Sequence, residues 1–122
     1  MGKAVIRTKT LEHGTGPMPL YLGIDSSTQS ISGLVIETDE NAILAQESIN
    51  FDEHFARRYD IENGVVDLGS GVVHSYPLLW LDGLDHLFST LRDRIDLSQI
   101  SAIAGSGQQH GTVYLNDRAS SC

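Results

Sequence analysis

Tyr21-Leu-Gly-Ile-Asp-Ser-Ser-Thr-Gln-Ser-Ile-Ser-Gly-Leu-Val-Ile-Glu-Thr-Asp39 sets the frame for the rest of the chain. An apolar run from Leu20 to Ile24 ends on a single carboxylate, Asp25, followed by Ser26, Ser27, Thr28, Gln29 and Ser30. A second apolar run, Gly33 to Ile36, closes on Glu37-Thr-Asp39. Two β-rich runs joined by small polar residues predict a hairpin. A charge at the end of a buried strand costs several kcal/mol to desolvate unless a cation, water or donor compensates it. Hydroxyls and backbone N–H groups in the tight turn beside it make a concavity suited to an anion. Carboxylate and concavity together match the needs of a Mg²⁺–nucleotide site, with Asp25 as the metal-side residue. The same residues are also ordinary turn chemistry, since Asp and Ser side chains bond the backbone two residues on.

Outward from the hairpin, Asn41 marks a turn and residues 42–49 predict a third strand, giving a three-strand antiparallel meander. Residues 50–74 are polar and glycine-rich with no period of 2 or 3.6, and are expected to form a long surface insertion whose acids are solvated. Ser75 is the expected N-cap of a helix with Pro77 in its first turn. Leu81, Leu84, Phe88, Leu91 and Ile95 form its expected apolar stripe, flanked by Trp80 and Leu87. Residues 100–105 then predict a central strand, parallel to a meander strand because it follows a helical crossover. Meander, loop, helix and strand in this order match the ribonuclease-H-like, or actin-like ATPase, fold, a mixed α/β (α+β) class.

That strand runs into Gly105-Ser-Gly-Gln-Gln-His-Gly-Thr112 and an expected short strand, Val113-Tyr-Leu115. The glycine spacing misses the dinucleotide fingerprint, and no Gly-Lys-Ser/Thr closes a P-loop. Gln108, Gln109 and His110 offer donors and acceptors that suit the hydroxyls of a polyol.

Gly23-Ile-Asp-Ser-Ser-Thr-Gln29, Tyr76-Pro-Leu-Leu-Trp80 and Gly107-Gln-Gln-His-Gly111 together resemble the N-terminal part of the FGGY family of carbohydrate kinases, most closely its xylulokinases. The resemblance runs from Leu20 to about Asp117. It implies an ATP-dependent kinase phosphorylating a ketose such as xylulose, with ATP and Mg²⁺ as cofactors. Asp25 would then help hold Mg²⁺–nucleotide, and Ser27, Thr28, Gln29 and Ser30 would form the phosphate-facing turn. Gln108, Gln109 and His110 would lie at the sugar. Many relatives carry Gly at the position of Ser27 and Lys at that of Ser32. The serine at 32 leaves charge stabilisation of the phosphate weaker or supplied from elsewhere. Family members are several times longer, and their general base and adenine pocket sit in a second domain. No catalytic base is therefore expected in this chain, which is expected to be an N-terminal piece, inactive alone.

The expected organisation is a flexible leader over 1–19, the partial kinase domain over 20–117 and a truncated tail over 118–122. The 8 Lys and Arg against 16 Asp and Glu give a net charge of −8, which disfavours nucleic-acid or anionic-membrane partners. The lone cysteine, Cys122, allows no intrachain disulfide, and neither a membrane span nor a signal peptide is evident, so a cytoplasmic location is expected. An exposed domain interface would allow self-association. Two other classes compete: a non-catalytic sugar- or nucleotide-binding module of the same fold, and a ribonuclease-H-like nuclease. The nuclease needs several convergent carboxylates for two metal ions, and the strand ending at Gly105-Ser-Gly107 supplies none. No Gly-x-Ser-x-Gly elbow supports hydrolase chemistry, and the five histidines lack metal-ligand spacing.

Overall fold

The computed structural model describes residues 18–119, so most of the leader and the end of the tail lie outside the described residues. The meander forms as expected: β1 (Leu20–Ser26), β2 (Ser30–Glu37) and β3 (Ala42–Asn50) pair antiparallel in sequence. Alternation along β2 is nearly complete, with Ile31, Gly33, Val35 and Glu37 buried and the residues between them half-buried. Such a period of two gives one face to the core. Buried Glu37 is not stranded there, because its two carboxylate oxygens accept from the N–H groups of Asp39 at 2.7 Å and Glu40 at 2.9 Å. It therefore closes the β2–β3 turn, in which Asn41 takes a left-handed φ of 51°.

The expected surface insertion is corrected at its start. Residues Phe51–Tyr59 form helix α1, capped by the Asn50 side chain, which accepts from the N–H of Glu53. Asp52 and Glu53 in the first turn and Arg57 and Arg58 in the last suit the helix dipole. Phe51, Phe55, Ala56 and Tyr59 recur at helical spacing and face the core, Phe51 fully and the others partly buried, a short period diluted by the polar residues around it. A two-stranded ribbon follows, β4 (Val66–Asp67) with β5 (Val73–His74), its turn carrying left-handed Gly69, Ser70 and Gly71.

Helix α2 spans Pro77–Arg92. Its N-cap is Tyr76, without a side-chain cap, and not Ser75; Pro77 stands at the helix start. Its buried line is Leu79, Gly83, Leu87 and Leu91, four residues apart. The expected stripe is thus rotated: Leu81 is 61% exposed, while Trp80, Leu84, Phe88 and Ile95 only flank the core. Gly83 explains the rotation. A Cβ there would lie 2.6 Å from Cε1 of Phe51, so only glycine lets α2 settle against the side chain that α1 inserts. Phe51, Leu79, Leu87 and Leu91 pack with Leu22, Ile31, Val35 and Ile49 into one core on one side of the sheet.

After a short 3₁₀ turn, Leu97–Gln99, parallel pairing returns the chain to the sheet. We number this strand β6 (Ile100–Ser106); it lies parallel to β1, as the crossover predicts, in the order β3-β2-β1-β6. It is not central among the described residues. It forms the sheet edge and is exposed along nearly its whole length, with Ile103 56% exposed, because α2 lies mainly over β2 and β3. Residues 113–115 form no strand and are exposed. No helix among the described residues is long and apolar enough to cross a membrane.

Candidate functional site

Parallel pairing of β1 with β6 brings together two stretches 80 residues apart. Asp25 is opposite Ser32 on one side and Ser106 on the other, and Ser32 is opposite Ser48. The register therefore lays Ser106, Asp25, Ser32 and Ser48 in a polar row across four strands, on the face away from the helices. Ser106 Oγ donates to Asp25 Oδ1, and the Ser32 and Ser48 hydroxyls share a hydrogen bond of 2.9 Å. An open groove of about 430 Å³ lies along this row, with Gly23, Leu34, Gln46 and Ala104 among its walls.

Asp25 is exposed near the carboxyl end of β1, so water compensates the charge that the sequence places there. The turn that follows is closed by its own serines. Ser27 N–H donates to the Ser30 carbonyl at 2.8 Å, and Ser30 N–H donates to Ser27 Oγ at 3.2 Å. The two hydroxyls also lie 3.2 Å apart. Ser27 and Ser30 thus clasp the turn, and Thr28 and Gln29 form its apex. The Gln29 carbonyl accepts from the N–H of Phe51 at 2.9 Å, which ties the apex to the start of α1.

The second motif meets the first here. Gln108 Nε2 donates to Thr28 Oγ1 at 2.6 Å. Gln108 also lines a cleft of about 260 Å³ with Ser26, Ser27, Trp80, Gly111 and Val113. Gln109 and His110 lie in the exposed turn at its rim and are not among the residues lining it. Trp80, expected only as a flank of the helix stripe, supplies the cleft's aromatic wall. Ser106 and Trp80 lie inside the quoted motifs, but reading by motif assigned neither a place at the site; the Tyr76-Pro-Leu-Leu-Trp80 motif was the signal available for Trp80.

The donor set can be tested against the ions it would hold. Mg²⁺ keeps several waters and takes one or two carboxylates plus phosphate oxygens, so one exposed strand-end carboxylate beside a hydroxyl-rich turn fits it. Among the described residues no three His, Cys, Asp or Glu side chains converge, and the carboxylates needed by a two-metal nuclease are not assembled.

The fold defines the class first: a mixed α/β sheet and helices in the arrangement found in solved sugar kinases. A xylulose kinase structure from Brucella ovis matches it with a TM-score of 0.60 at 24% identity, over 75% of this chain and 17% of that one. The particular relatives are narrower. A probable D-xylulose kinase A of Aspergillus terreus is 38% identical over 103 residues, and the xylulose kinase of Schizosaccharomyces pombe is 40% identical over 97. These alignments cover 83% and 79% of this chain but 18% and 17% of the relatives, so the chain spans under a fifth of their length. No family model matches the chain. Over the shared stretch the chain is homologous to the D-xylulose kinases, sugar kinases of the FGGY family.

Proposed function

We propose that the chain is the N-terminal part of an ATP-dependent kinase for a ketose such as xylulose, holding the phosphate side and part of the sugar side of the cleft, and that it does not catalyse transfer alone. The observation that carries this reading is the double bridge between the motifs, Ser106 to Asp25 and Gln108 to Thr28. It joins an anion-suited turn to a polyol-suited turn at one end of the sheet, where ligands of open α/β sheets gather. Magnesium-bound ATP would supply the phosphoryl group and neutralise its developing charge. Asp25, oriented by Ser106, would hold the hydrated metal. Ser27 and Ser30 would keep the turn closed while Thr28 and Gln29 face the phosphates. Gln108 would bond a sugar hydroxyl across the cleft from Trp80, and Gln109 and His110 would bond further hydroxyls from its rim. The general base and adenine pocket would lie in a second domain, since positioning both substrates needs the other half of a cleft. We place the protein in the cytoplasm, without nucleic-acid or membrane partners and with self-association through the uncovered side of β6.

The short span relative to the homologues favours one other reading, a sugar- or nucleotide-binding module of the same fold without catalysis. The test compares the 122-residue chain with any longer chain encoded past Cys122, using D-xylulose and Mg–ATP. Xylulose-dependent ADP release by the longer chain alone supports the kinase reading. Release by neither, with ketose binding by both, supports the binding module, and robust release by the short chain overturns its predicted inactivity.

A further inference from the structure

Residues 60–65 reach back to the turn between β1 and β2. Gly64 is buried with a left-handed φ of 77°, and a Cβ on it would lie 2.0 Å from the Thr28 carbonyl oxygen and 3.0 Å from the Gln29 Cα. The backbone at 64 therefore presses directly on the apex of the turn, at a separation no side chain could share. Asp52, in the first turn of α1, holds that backbone in place. Its Oδ2 accepts from the N–H of Asn63 at 2.6 Å and its Oδ1 from the N–H of Gly64 at 2.8 Å. Asn63 is itself left-handed, at φ 56°, and the isolated bridge between Glu62 and Val65 closes the loop around it. The neighbouring residue, Phe51, donates its N–H to the Gln29 carbonyl, so the start of α1 and the loop at Gly64 meet successive peptide units of the turn.

We infer that Asp52 is a positioning residue for the anion-facing turn: through Asn63 and Gly64 it fixes the apex at Thr28 and Gln29 in the shape that would receive phosphate. Sequence reading leaves Asp52 among solvated acids of a surface loop. The geometry gives it a charge-assisted double acceptor role, the stronger class of hydrogen bond. A carboxylate is required because both partners are donors; an amide would set its NH₂ against one of them. The phosphate role of the turn rests on the kinase reading, whereas the brace itself does not.

The 122-residue chain serves for the test, with Asp52→Asn and Gly64→Ala as two independent variants. Amide hydrogen exchange is followed at Ser27 and Ser30, both hydrogen-bonded in the turn, and at Leu22 and Val35 in the core. Both variants are expected to speed exchange at the two serines on the order of tenfold while leaving the core amides unchanged, as local opening does. Unchanged exchange at the serines, or equal acceleration in turn and core, overturns the inference, the second outcome because it marks Asp52 as merely structural. Titration with Mg–ATP separates the two claims. Weaker binding by the variants, on the order of tenfold, supports the turn as phosphate-facing. A longer chain encoded past Cys122 that binds Mg–ATP equally well with and without the two substitutions, while the turn still loosens, sinks the phosphate-facing reading and leaves the brace standing.

Discussion

At the scale of single residues, Asp25 and His110 divide the proposed chemistry between charge and recognition. Asp25 would act on charge that develops during transfer, so in a longer, active chain Asp25→Ala is expected to lower kcat far more than it raises the ketose KM. Near-normal kcat in steady-state assays would remove Asp25 from the site. His110 is exposed at the rim of the cleft, and its expected role is neutral bonding to sugar hydroxyls. His110→Ala is expected to weaken ketose binding by about 1–3 kcal/mol, the penalty for a polar partner lost where a bound sugar shuts out water, with ATP affinity unchanged. Calorimetric titration of both ligands checks it, and equal loss for both would indicate a folding defect. Ser106 shows why one residue's role can depend on a distant strand. In the sequence it is a small residue in a glycine turn; in the register it is the donor that orients Asp25.

At the scale of elements, the contact between α1 and α2 decides how the sheet is covered. Gly83 lies against Phe51, which is fully buried, so Gly83→Ala forces either the ring or the helix aside. The expected loss is about 1–3 kcal/mol of stability, the usual range for overpacking, measured by urea denaturation. The same two helices are tied at their outer edge. Tyr59 donates its hydroxyl to Asp82, and Arg58 pairs with Asp82 at 2.9 Å. Burial, then the Asp82 hydrogen bond and charge, push the Tyr59 pKa above its ordinary value. A raised pKa favours the protonated tyrosine in the folded state. Its contribution is therefore complete below the unfolded tyrosine value, about 10, and fades as pH climbs through the higher folded value. Melting temperatures of wild type and Tyr59→Phe, followed from pH 8 upward, should converge at the alkaline end. A gap that stays constant through that range would show that the hydroxyl does not supply the pH dependence.

At the scale of the whole molecule, the covered and uncovered sides of the sheet differ sharply. Leu22, Val35 and Ile49 are sealed under the helices, whereas among the described residues β6 is an edge strand with Ile103 exposed, and Tyr114 and Leu115 stand exposed beyond it at 91% and 75%. An unpaired strand edge with apolar neighbours invites pairing with another chain. Sedimentation velocity of the 122-residue chain is expected to show association that grows with concentration, and a charge at the edge, Ile103→Lys, is expected to reduce it. A monomer at all concentrations would remove self-association from the proposal.

The sequence by itself determined the meander, the parallel return of the last strand and the two polar turns. Each of these follows from local periodicity, from turn chemistry or from the handed geometry of a crossover. It also carried the sugar-kinase resemblance, because motifs such as Gly107-Gln-Gln-His-Gly111 are contiguous. Helix α1 was hidden because its apolar period, Phe51, Phe55 and Tyr59, fits in one 9-residue helix inside a polar stretch, and the rotated face of α2 was hidden because Gly83 counts for nothing on a hydrophobic stripe. Only the tertiary structure placed Ser106 on Asp25, Gln108 on Thr28 and Asp52 behind Gly64. Those contacts depend on strand register and on how closely backbones approach, and pairings across tens of residues leave no spacing rule in a single chain by which to read them.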